Sequence, residues 1–153
     1  MHSSPSLRRA FICLALILST SAVGLAWISR APAPAGEALK TAMHQIDESL
    51  KALGKGVTAE NRPAMLVELA KLETAVMTAK AETPESAAKV DEKKRDAFVA
   101  EYRKTLVETL QFALSTEVAI LDAKYKEADT LIRNKLGGMK SKGHGKFKTD
   151  GGY

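Results

Sequence analysis

EALKTAMHQIDESLKALG, Glu37 to Gly54, sets the architecture. Its apolar residues Leu39, Met43, Ile46, Leu50 and Leu53 are spaced 4, 3, 4 and 3 apart, which gathers them into one stripe on an α-helix. Gly54 and Gly56 follow the stripe and stop the helix. The same spacing returns in Met65, Leu69, Leu72, Val76 and Ala79, a second helix. Thr83-Pro84 then offers an N-cap and a proline at the first helical position of a third. Phe98, Tyr102, Leu106, Leu110 and Ala113 form its inner face, while its first third is almost wholly polar and reads as a loop or as helix outside the bundle. Ser115-Thr116-Glu117 carries capping residues and marks the expected turn. Val118, Leu121, Tyr125, Ala128, Ile132 and Leu136 give the stripe of a fourth helix, which Gly137-Gly138 interrupts. Helices of about 18 to 28 residues joined by short loops predict an all-α fold, an antiparallel up-down-up-down four-helix bundle.

The chain ends read differently. MHSSPSLRR is short and basic, and Phe11 to Ile28 is apolar and uncharged, so residues 1–30 read as an export signal. The apolar run of about 18 residues reaches the lower limit for a spanning helix, which leaves an uncleaved membrane anchor as the alternative. Residues 31–36 form a Pro/Ala linker, 37–148 the bundle and 149–153 a tail. The signal holds Cys13, the only cysteine, so the exported chain is expected to have no disulfide and no covalent C-x-x-C-H haem attachment. From Glu37 to Ile132 there are 14 basic and 17 acidic residues, and from Arg133 to Lys148 six basic and none acidic. A nucleic-acid protein is more often basic throughout, so no nucleic-acid partner is expected.

No glycine-rich phosphate loop, Ser/His/Asp set or Glu-x-x-His pair is present, so the chain does not read as an enzyme. After export, nitrogen and sulfur donors remain: His44 and His144, with Met43, Met65, Met77 and Met139. Periodicity alone packs Met43 in the core. It turns His44 about 100° away, toward solvent. MKSKGHGKFK, Met139 to Lys148, reads on composition as a basic tail. On a straight fourth helix His144 would lie roughly 110° from the mean apolar stripe and Phe147 roughly 50°. An inward His144 then needs a break at Gly137-Gly138, or a ligand held at the bundle edge.

AMHQIDESLKAL (Ala42 to Leu53), RDAFVAEY (Arg95 to Tyr102), AKYKEAD (Ala123 to Asp129) and Leu136 followed eight residues later by His144 resemble, in that order, segments of the cytochrome b562 family. The resemblance covers roughly Glu37 to Lys148. It implies a periplasmic electron carrier with one non-covalent haem b per chain, whose axial ligands are Met43 and His144, serving redox partner proteins. It also makes Arg133, Lys135, Lys140, Lys142, Lys146 and Lys148 candidates to face the haem propionates. Gly137-Gly138, Gly143 and Gly145 depart from the family's uninterrupted last helix. Two rivals stay open: a cofactor-free exported helical adaptor or structural module, and a copper site of Met43, His44 and His144.

Overall fold

The computed structural model describes residues 36–147. The export segment, the linker up to Ala35, Lys148 and the tail lie outside the described residues. Among those described there is helix and no strand, so the fold is all-α. None of the described helices is long and apolar enough to cross a membrane.

Helix α1, Glu37–Leu53, buries Leu39, Ala42, Ile46, Ser49 and Leu53. It stops where the sequence indicates: the Gly54 N–H donates to the Leu50 carbonyl, and Gly56 takes φ 96°, which a side chain would resist. Thr58 and Asn61 then close the loop with reciprocal bonds, Thr58 N–H to Asn61 Oδ1 at 2.8 Å and Asn61 N–H to Thr58 Oγ1 at 3.3 Å. Helix α2, Arg62–Ala81, carries proline in its first turn and buries all five residues of its stripe. Its Glu73 is the least comfortable charge. Burial first, and Glu117 on the next helix second, push its carboxyl above the usual range, and Oε1 is buried without a hydrogen-bond partner among the described residues.

The third helix departs from expectation at both ends. Thr83-Pro84 opens only a short 3-10 turn, Glu85–Lys89, and helix α3 begins at Glu92. Asp91 caps it by accepting the Lys93 N–H at 2.9 Å. Ser115 and Thr116 do not break α3, which runs on to Leu121. Their hydroxyls donate to the Gln111 and Phe112 carbonyls four residues back, so each is satisfied inside the helix rather than capping a new one. The turn falls at Asp122–Lys124, where the Ala123 N–H bonds the Ile120 carbonyl and the Lys124 N–H bonds the Ala119 carbonyl. This is a Schellman closure, with Ala123 at φ 58° in the place usually held by glycine. Val118 and Leu121, expected to pack in a fourth helix, therefore end α3 as exposed apolar residues.

The fourth helix is one rod of three parts. Helix α4, Tyr125–Thr130, passes into a π-helical segment, Leu131–Leu136, and that into helix α5, Gly137–Phe147. The glycine pair does not interrupt it. The Gly137 N–H reaches back five residues to the Ile132 carbonyl, the hydrogen bond of a π-turn.

Helix α1 packs on α2, α2 on α3, and α3 along all three parts of the fourth helix. Named contacts align the ends. Arg62 at the start of α2 donates to the Leu121 carbonyl at the end of α3. Asp129 in α4 accepts the Val57 N–H just beyond α1 at 2.9 Å. Lys146 near the end of α5 pairs with Glu101 in the first half of α3. Twenty residues from every helix form one apolar cluster. Its largest buried side chain, Tyr102, donates its hydroxyl to the Ala79 carbonyl at 3.0 Å.

Candidate functional site

Three elements enclose an apolar cleft of about 680 Å³, counting its space open to solvent. Helix α1 contributes Met43, Ile46, Asp47 and Leu50; α3 contributes Tyr102, Thr105, Leu106 and Thr109. The end of the fourth helix contributes Leu136, Met139, Lys140, Gly143, His144 and Phe147.

The stripe of α1 splits between two duties. Leu39 and Leu53 are buried in the core, Ile46 is buried and also lines the cleft, and Met43 and Leu50 are only partly buried and face it. Periodicity could not show this, because a helix surrounded by neighbours and a helix beside a cleft present the same apolar spacing. His44 is exposed and forms no part of the cleft wall.

His144 reaches the cleft by a route the sequence does not display. The π segment takes about one residue more per turn than an α-helix, which sets back everything after it by about 100°. That offsets most of the roughly 110° by which a straight α-helix would turn His144 away. His144 lines the cleft at its exposed rim, and among the described residues no group hydrogen-bonds its imidazole. Met43 and His144, near the two ends of the described chain, thus meet on one cleft.

Helix α5 is held there by tertiary contacts. Phe147 is buried, its ring edge-on to Phe98 at 5.3 Å and to Tyr102 at 5.4 Å between centroids. Ser86 donates its hydroxyl to the Phe147 carbonyl at 2.8 Å, satisfying an acceptor at the end of the rod. Lys140 pairs with Asp47 of α1 at 3.0 Å, Lys142 with Glu108 of α3 at 3.1 Å and Lys146 with Glu101 of α3 at 3.3 Å. These three lysines were read as candidates to face an anionic ligand; each already meets a carboxylate. Lys135 lies over the Phe112 ring at 5.8 Å, Arg133 is exposed, and Lys148 lies outside the described residues.

Thr105, Thr109 and Met139 belong to the cleft wall and were not singled out as site residues in the sequence. The threonines sit one turn apart on the buried side of α3, and their hydroxyls donate to the Glu101 and Thr105 carbonyls. Each therefore turns a methyl group, not an unsatisfied hydroxyl, to its surroundings. A pair of threonines four apart inside an apolar stripe was the available signal. The cleft wall thus carries Met43 on one element and Met139 and His144 on the facing one. Among the described residues no cluster of three His, Cys, Asp or Glu side chains could hold a metal ion. Compared with models of protein families, with curated proteins and with solved structures, the chain matches none.

Proposed function

We propose that the four helices form an antiparallel up-down-up-down bundle and that the chain is an exported, periplasmic electron-transfer protein of the cytochrome b562 type. One non-covalent haem b would occupy the cleft, with Met43 and His144 as axial ligands. The observation that carries this is the meeting of Met43 and His144 on the wall of a single apolar cleft. Bound there, the haem supplies a one-electron couple whose potential methionine ligation raises.

The chain's own residues suit that task. Ile46, Leu50, Leu106 and Leu136 give the cleft low-dielectric walls that exclude water. Met43 stands on α1, which ends at Gly54 and buries core residues beside Met43, so the thioether is held on a rigid element. His144 needs no proton transfer or bond rupture to present a lone pair when its imidazole is neutral. Asp47 draws Lys140 to the cleft wall, where its charge can approach a carboxylate at the mouth. Redox partner proteins would meet the exposed rim beside His144.

The residue-level test is haem titration of purified Met43→Ala and His144→Ala chains. Each variant is expected to lose the six-coordinate reduced spectrum of the parent chain. Unchanged spectra in both would exclude these two residues as ligands.

A further inference from the structure

Met139 lines the same cleft, yet the haem assignment does not use it. It stands on α5 five residues before His144, and Met43 faces them from α1. The cleft wall therefore includes two methionines and one histidine from two elements. Sequence adjacency had grouped His44 with Met43 and His144, but His44 is exposed and stands outside the wall. Met139 replaces it as the third donor.

The donor types select the ion. Thioether sulfur is soft and neutral and favours Cu(I), imidazole also suits copper, and hard cations prefer carboxylates and carbonyls. The cleft's one carboxylate, Asp47, is engaged by Lys140 at 3.0 Å. An apolar surrounding penalises each added charge steeply, which favours a singly charged ion over a doubly charged one. Zinc sites draw on Cys, His, Asp and Glu, of which the three-donor set holds only His144.

We propose that, when no haem is bound, the cleft takes up one Cu(I) ion through Met43, Met139 and His144. This goes beyond the haem assignment. The two ligands share Met43 and His144 and exclude each other, while Met139 serves copper alone.

The test is titration of the purified, haem-free full chain with Cu(I) held by the colorimetric chelator bicinchoninate. One Cu(I) per chain is expected, with two sulfur neighbours and one nitrogen neighbour in its X-ray absorption spectrum. Met139→Leu keeps the side-chain volume. It should weaken Cu(I) by at least the roughly 10- to 100-fold that loss of an outer partner costs a metal site. Its copper-free unfolding midpoint should match that of the parent chain. Failure to draw Cu(I) from the chelator overturns the inference, as does parental affinity in Met139→Leu. Haem uptake without Cu(I) uptake also overturns it and leaves the haem assignment standing. Cu(I) uptake without haem uptake supports it and removes the haem assignment.

Discussion

The two walls that carry Met43 and His144 are built on opposite principles. Helix α1, EALKTAMHQIDESLKAL, draws 12 of its 17 residues from the good helix formers, starts with an acidic residue and carries Lys51 in its last turn. Its Glu48–Lys51 pair at 2.7 Å lies within the helix. Helix α5, GGMKSKGHGKF, contains four glycines in eleven residues. Each glycine in a helix interior costs about 1 kcal/mol relative to alanine, so α5 has little helical tendency of its own. It is helical because Phe147 is buried and because lysines on three of its turns reach acids on α1 and α3. One wall is fixed by its sequence and the other by its neighbours. The His144 wall should therefore open at a lower free energy than the Met43 wall.

Four measurements can break or sharpen this contrast. The largest effect is expected from Phe147→Ala, which removes a buried ring packed on Phe98 and Tyr102 and should cost about 3 to 5 kcal/mol if the site cannot collapse. Amide hydrogen exchange should show protection lost across Gly137–Phe147 while Glu37–Leu53 keeps most of its own. Equal losses in both would end the distinction. Next, Gly138→Ala and Gly145→Ala should each stabilise α5 by roughly 0.5 to 1 kcal/mol, since a Cβ at either position meets nothing within 4 Å. The unfolding midpoint in denaturant reads this, and a destabilised double variant would mean that the glycines are needed for shape.

The third effect is smaller. The partly exposed Lys140–Asp47, Lys142–Glu108 and Lys146–Glu101 pairs should contribute about 0 to 1 kcal/mol each and weaken in salt. Raising salt should therefore speed exchange in α5 before α1. The smallest concerns pH. The hydrogen bond from Lys51, and then its charge, hold the Glu48 carboxyl below the usual range. A lowered folded-state pKa stabilises above the unfolded value, and that contribution is lost as pH falls through the folded one. Acid should thus loosen the end of α1 slightly, and Glu48→Gln should remove that part of the pH dependence.

Helices α1 and α2 were legible in the sequence because local periodicity and punctuation decide them. Their stripes and the Gly54–Gly56 stop stand where the spacing put them. The end of α3 was not legible, since Ala123 closes a turn where glycine is the usual signal, and Ser115 and Thr116 bond backward instead of capping. Helix α5 was hidden because tertiary contacts override the low propensity of its glycines. The π segment leaves no mark in composition, yet it turns His144 toward the cleft. Met43 and His144 were named from a resemblance to a family, and their sharing of a cleft came from the three-dimensional arrangement. Met139 stayed unassigned because a methionine beyond a glycine pair has no periodic partner.

The central claim is that this cleft holds haem b between Met43 and His144. Its most direct test is the visible spectrum of the purified chain after stoichiometric haem addition, oxidised and then reduced. Sharp α and β bands in the reduced form are the expected result; absence of a Soret band from protein-bound haem would contradict the claim.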